Sequence, residues 1–83
     1  MNWTLLVTKP AQRDLERLSS RDRDRVVSAL EALQIDPFSR DIKRLQPSGW
    51  RRRVGSYRVF YDLYMEERQI VVTAIKRRTS TTY

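Results

Sequence analysis

Apolar positions recur along this chain with two different periods, and the change from one to the other divides it. Asn2 to Thr8 (NWTLLVT) is rich in β-branched and aromatic residues and predicts a first strand. Pro10 suits the first turn of a helix, where its missing N–H costs little. Ala11, Leu15 and Leu18 then share one face of a short amphipathic segment over residues 11–18. Ser19 and Ser20 interrupt it and offer a cap to a second helix, with Asp22 favourably placed in its first turn. Val26, Leu30 and Leu33 recur at i, i+4 and i+7, widened by Val27 and Ala29. Asp36-Pro37 ends that helix, because the residue before a proline is pushed out of the α region. Beyond a loop from Phe38 to Gly49, which Ile42 and Leu45 are expected to anchor to the core, the period becomes two.

Residues 50–54 and 57–64 read as the strands of a hairpin around Gly55-Ser56, and residues 69–76 as a further strand after the polar turn Met65-Glu66-Glu67-Arg68. The predicted fold is therefore α+β over residues 1–83 as one domain: an N-terminal strand, a helical hairpin and a three-stranded antiparallel meander, in the order β-α-α-β-β-β. Alternation places Tyr57, Val59, Tyr61 and Leu63 on one face of the sheet and Arg58, Phe60, Asp62 and Tyr64 on the other. Arg51 and Arg53 likewise oppose Arg52 and Val54. One face is expected beneath the helices, and the other carries arginines among aromatics. Packing is the favoured role for Trp50 and Tyr64 over base stacking, and Tyr57 and Tyr61 are expected in the core. Trp3 has no functional argument.

Charge sharpens this division. The net charge is +7, yet residues 1–36 hold six cations and six acids and are neutral. The whole excess lies in residues 37–83, with eleven cations against Asp41, Asp62, Glu66 and Glu67. Fourteen of the seventeen cations are arginine, whose planar fork matches phosphate oxygens. Such one-sidedness points to a polyanion or an acidic peptide as partner rather than to a basic surface kept for solubility. Cysteine and histidine are both absent, so neither disulfides nor a thiolate or imidazole metal site is expected, and no cofactor is implied. No apolar run approaches the roughly 20 residues of a membrane span, and the N-terminus has no signal-peptide pattern, so a cytoplasmic protein is expected.

If the basic face holds RNA, strand scission requires activation of a ribose 2′-OH, stabilisation of a dianionic phosphorane-like transition state, and protonation of the 5′-oxygen. Arginines fixed on strands suit the second task, since preorganised donors need little reorganisation as charge develops. Arg51, Arg53 and Arg58 are the candidates, with Arg52 in the same cluster. Blunting of an edge strand by charge competes with this reading for Arg51–Arg53. For Arg58 the competitor is an ion pair with Asp62 on the same face. Proton transfer falls to groups with unsuitable pKa values, Tyr at about 10 and Lys at about 10.4. Arginines around a phenol favour its phenolate, so Tyr83, near Arg77 and Arg78, is the candidate base within an otherwise polar tail.

The order of elements and these motifs resemble the RelE/ParE superfamily of toxins from bacterial and archaeal type II toxin–antitoxin modules. Arg53-Val54-Gly55-Ser56-Tyr57-Arg58-Val59-Phe60-Tyr61 is similar to that family's R-V-G-D-Y-R-V-I-Y hairpin. Ile75-Lys76-Arg77-Arg78 falls where many members have I-G-H-R, and Asp36-Pro37-Phe38 and Lys43-Arg44-Leu45 agree with the loop before the hairpin. The resemblance spans essentially the whole chain and implies the RelE-like microbial RNase fold. It further implies an mRNA endoribonuclease that cuts in the ribosomal A site, needs no metal, and forms a 2′,3′-cyclic phosphate. Carried over by position, Arg51, Arg53, Arg58, Arg78 and Tyr83 become the catalytic set. Arg52, Lys43, Arg44, Lys76 and Arg77 would contact RNA. Arginines stand at 51 and 53 where the RelE branch has lysines, and Arg77 stands where its histidine is frequent. The implied partners are the ribosome, mRNA and a cognate acidic antitoxin. Two alternatives follow from the same resemblance: a ParE-like toxin acting on DNA gyrase, and a catalytically inactive basic binding module.

Overall fold

The computed structural model describes residues 3–38, 42–45 and 49–77. Expectations for Asn2, Arg78, the tail Thr79–Tyr83 and residues 39–41 and 46–48 lie outside that range. A first strand, β1 (Thr4–Val7), leads into helix α1 (Lys9–Glu16). Thr8 caps that helix: its Oγ1 accepts from the Ala11 N–H, and Pro10 sits in the first turn as the sequence predicts. The second helix, α2 (Ser20–Ile35), starts at the predicted cap, where Ser19 Oγ accepts from the Asp22 N–H at 3.2 Å. Between the helices, the Arg23 guanidinium turns back and donates to the Leu15, Glu16 and Leu18 carbonyls at 3.0–3.5 Å. These carbonyls lie at and just beyond the end of α1, where the helical ladder runs out, so Arg23 closes the helical hairpin. Asp36 ends α2 in an extended conformation ahead of a fully buried Pro37.

The sequence expectation of a loop through residue 49 is only partly met. A three-residue strand, β2 (Ile42–Arg44), lies within it and pairs antiparallel with β3 (Gly49–Val54). Leu45, expected to anchor this segment, is 44% exposed, whereas Ile42 is half-buried. Pairing with β3 holds the segment instead. The predicted meander follows: β3, β4 (Tyr57–Tyr64) and β5 (Gln69–Arg77). Gly55 opens the β3–β4 turn at φ +57° and Ser56 keeps negative φ, as a type II′ hairpin turn requires. The sheet order is β1-β5-β4-β3-β2, with β1 parallel to β5 and the other pairs antiparallel.

Val26, Leu30 and Leu33 of α2 and Ala11 of α1 bury against Val59, Tyr61, Leu63, Ile70, Val72 and Ile75 of the sheet. Trp3 closes one end of this core. Its ring meets Phe38 edge-on at 6.1 Å, and Phe38 meets Trp50 at 5.6 Å, so three aromatics seal the side where β1 and the end of α2 meet.

The core positions on β5 are Ile70, Val72 and Ile75, which do not keep a period of two. A β-bulge accounts for this. Tyr61 pairs with Val72 but Phe60 pairs with Ala74, so Thr73 is the extra residue, and its Oγ1 donates to the Phe60 carbonyl at 3.2 Å. Beyond the bulge the strand has changed phase. Ile75 turns into the core, and Lys76, rather than Arg77, comes to the face away from the helices.

Candidate functional site

Cross-strand register sets the composition of the face opposite the helices. At its hairpin end, Arg53 of β3 pairs with Arg58 of β4, and Arg58 pairs with Lys76 of β5. Three cations thus stand side by side across three strands. In the next row Lys43 of β2 pairs with Arg51, Arg51 with Phe60, and Phe60 with Ala74. Directly paired side chains have Cβ atoms about 4.5–5.5 Å apart, close enough for neighbouring cations to share one phosphate. A depression of about 170 Å³ lies among Ile42, Lys43, Arg51 and Arg53. Five expected site residues, Lys43, Arg51, Arg53, Arg58 and Lys76, therefore gather on one surface.

The remaining expected residues go elsewhere. Arg52 pairs with Val59 and so faces the helices, where its Nη1 donates to the Ala29 carbonyl of α2 at 3.4 Å. Its Nε is buried without a partner among the described residues. With Arg25 and Ser28 of α2 it lines an open groove of about 510 Å³ between that helix and β3. Arg77 pairs with Tyr57, also on the helix side. Arg44 pairs with Trp50 and lies over its ring at 5.9 Å. Arg78 and Tyr83 fall outside the described residues.

An Arg58–Asp62 ion pair does not form. Four residues along a strand span about 13 Å, well beyond contact, although both side chains point the same way. Lys76 does meet an acid: its Nζ lies 3.4 Å from Asp14 of α1. Asp14 has a second role, since its Oδ2 accepts the Ile75 backbone N–H at 3.0 Å. Parallel pairing with β1 covers β5 only from Gln69 to Val72. Beyond it, the Thr8 hydroxyl reaches the Thr73 carbonyl and Asp14 takes the Ile75 N–H, so α1 closes an edge that β1 leaves open. Sequence reading assigned Asp14 nothing. Its long-range contact with β5 has no sequence signal, but the Ile70, Val72, Ile75 spacing does carry the signal for the bulge.

Two described tyrosines are unsuited to act as bases near neutral pH. Tyr61, expected in the core, is buried there; its hydroxyl donates to the Pro37 carbonyl at 3.2 Å, and burial pushes its pKa up to about 12. Tyr57 donates to the Asp22 carboxylate at 2.9 Å. That hydrogen bond, then desolvation and the carboxylate's charge, raise its pKa, and the opposing influence of Arg77 is smaller.

The fold agrees with what the chain is similar to. The family described as the ParE toxin of type II toxin-antitoxin systems matches residues 5–81. A Methanocaldococcus jannaschii protein bearing the toxin name RelE1 is 30% identical, over 94% of this chain and 92% of its own length. A chain of the RelBE2 toxin–antitoxin complex from Mycobacterium tuberculosis superposes with a TM-score of 0.84 at 28% identity, covering 94% of this chain and all of that one. A chain of the archaeal RelE–RelB complex from Pyrococcus horikoshii reaches a TM-score of 0.89 at 23% identity, covering 98% of this chain and 100% of its own, a likeness of fold.

Proposed function

The chain belongs to the ParE toxin family of type II toxin–antitoxin systems, within the RelE/ParE superfamily, and from that premise we propose that it acts as a RelE-like endoribonuclease on ribosome-bound mRNA. The observation that carries this reading is the Arg53–Arg58–Lys76 row, with Arg51 and Lys43 beside it. In the reaction, the 2′-oxygen of a ribose bonds to the adjacent phosphorus and loses its proton. The bond to the 5′-oxygen breaks, and that oxygen takes up a proton, leaving a 2′,3′-cyclic phosphate and a 5′-hydroxyl. No metal is required for this sequence of bonds.

Arg51, Arg53 and Arg58 hold the phosphate and offset the charge that grows on its oxygens. Lys76, steered by Asp14, supplies a further donor, and Lys43 extends the track for the backbone. Arginine is a poor proton carrier because it stays charged. Proton transfer is therefore assigned to Tyr83, with Arg78 favouring its phenolate. Tyr83→Phe should then slow cleavage strongly, and an unchanged rate would remove Tyr83 from the mechanism. Arg52, Arg44 and Arg77 take outer positions at most, given the faces they occupy.

Relatives crystallised with RelB antitoxins, together with the charge confined to one part of this chain, support a cognate acidic antitoxin as partner. A flexible acidic segment folding over the open face would neutralise the cations and block RNA. A complex that leaves Arg51, Arg53 and Arg58 exposed would count against that arrangement. The name of the matching family favours a second reading, inhibition of DNA gyrase.

One experiment separates the two readings. The chain is induced in cells, and translated mRNA is mapped by primer extension while plasmid supercoiling is followed. Cuts within A-site codons support the nuclease. Stalled supercoiling with intact mRNA assigns the gyrase reading, and neither effect leaves a basic binding module.

A further inference from the structure

Among the described strand positions on the open face, one acid stands among the cations. Asp62 of β4 is half-buried, two residues from Phe60 on the same face, and makes no ion pair with any described residue. Arg58, the nearest cation on its own strand, is four residues away and out of reach. Its cross-strand partners are Gly49 and Val71, neither of which offers a donor side chain. A phosphate-binding surface has no use for a carboxylate. Unpaired among the described residues, it is open to a ligand that donates hydrogen bonds.

Asp62 lines a cavity of about 140 Å³ together with Phe60, Leu45, Gly49 and Thr73. Each neighbour contributes to its shape. Phe60 presents a half-buried ring beside Arg51, its cross-strand partner. Gly49, opposite Asp62, has no side chain to fill the space. Leu45, which the sequence suggests as a core anchor, instead stands 44% exposed at the rim. The bulged residue Thr73 lines the cavity from β5. Its volume is below the roughly 300–1,000 Å³ of sites for drug-sized ligands, which suits a single planar ring system.

We propose that this cavity is a nucleobase site, in which Phe60 stacks the base and the Asp62 carboxylate reads its edge, with guanine as the preferred base. The inference rests on the RNA-handling reading of the open face and deepens it. An ionised carboxylate only accepts hydrogen bonds. Guanine is the one common base whose Watson–Crick edge places two donors, N1–H and N2–H, side by side. Adenine and cytosine each put a ring acceptor beside their amino group, and uracil flanks N3–H with two carbonyls, so each sets an acceptor against a carboxylate oxygen. Stacking on Phe60 is indifferent to base identity. Arg51, paired with Phe60, is placed to hold the phosphate attached to the same nucleotide.

The test is binding of the purified chain to four labelled uridine hexamers, 2′-O-methylated to prevent cleavage, with guanosine, adenosine, cytidine or uridine at one internal position. Fluorescence anisotropy is expected to show the guanosine oligomer binding about 10- to 100-fold more tightly than the others, the range for a bidentate base contact. Inosine, which lacks the N2 amine, should fall between guanosine and adenosine without any change to the protein. Asp62→Asn should abolish the preference yet leave the all-uridine affinity unchanged or higher, and Phe60→Leu should weaken every oligomer by about tenfold. Arg58→Ala should weaken all four equally and keep the guanosine ratio. Equal binding of all four oligomers by the wild-type chain, or a guanosine preference that survives Asp62→Asn, overturns the base site. If Arg58→Ala still weakens binding in that case, the RNA-handling reading stands alone. A wild-type chain with no affinity for any oligomer overturns the base site, and primer extension on translated mRNA then decides the RNA-handling reading by itself.

Discussion

The Asp14 carboxylate of α1 accepts the backbone N–H of Ile75 on β5 at 3.0 Å, across 61 residues of sequence. The contact supplies the hydrogen bond that β1 is too short to make, and the same carboxylate holds Lys76 beside the cation row. Asp14→Ala should destabilise the fold by about 1–3 kcal/mol, the cost of leaving a part-buried N–H unmet. Amide exchange at Ile75 should rise with it. Asp14→Asn keeps an acceptor for Ile75 but gives up the charge facing Lys76. It should recover most of the stability in urea denaturation while changing the salt dependence of RNA binding.

Deletion of Thr73 removes the bulge. The remaining strand would then alternate without a break and keep its native faces, with Ala74 and Lys76 on the open face and Ile75 beneath the helices. The deletion variant should therefore retain cooperative thermal unfolding, and Thr73→Val, which gives up only the hydrogen bond to the Phe60 carbonyl, should retain it with a lower Tm.

Neighbouring arginines on β3 and β4 should behave differently when truncated. Arg53→Ala and Arg58→Ala should each lower kcat for ribosome-dependent cleavage by about 10²–10³, the usual effect of removing one transition-state donor, with Tm nearly unchanged. Arg52→Ala should do the reverse. It gives up the bond to the Ala29 carbonyl and the packing of its stem beneath α2, about 1 kcal/mol of stability, and leaves cleavage close to wild type. Parallel thermal melts and single-turnover assays on the three variants check this.

Alkaline titration should expose the two anchoring phenols. Each has a pKa raised on folding above the unfolded value of about 10, so each favours the fold fully below that pH. Their contribution fades as pH rises further, and for Tyr61 it is lost as pH passes through about 12. Stability should therefore fall steadily above pH 10. Phenolate absorbance should show the Tyr61 share appearing last or only with unfolding. Tyr61→Phe should lower stability at neutral pH and flatten the alkaline decline.

Local patterns in the sequence account for every element that depends on its own residues. The Val26–Leu30–Leu33 stripe, the Ser19 cap, the stop at Asp36-Pro37, the Gly55-Ser56 turn and the alternation in β4 each needed only neighbours within one or two turns or strand pairs. The same alternation set Arg51, Arg53 and Arg58 apart from Arg52. Strand β2 escaped detection because three residues are too few to show a period, and its pairing with β3 is what makes it a strand.

What the sequence alone determined about the Lys76-Arg77-Arg78 run was its charge and its place at the end of a strand. Only the tertiary structure decided which of its cations joins the site. A one-residue bulge at Thr73 inverts the side chains from Ala74 to Arg77, and β5 accepts that bulge because it buries Ile75 beneath the helices. The row Arg53–Arg58–Lys76 is likewise a property of register, which three strands settle together by packing their other face. Asp14 gained its role in the same way, because helix α1 came to rest where β1 ended and an unmet N–H remained.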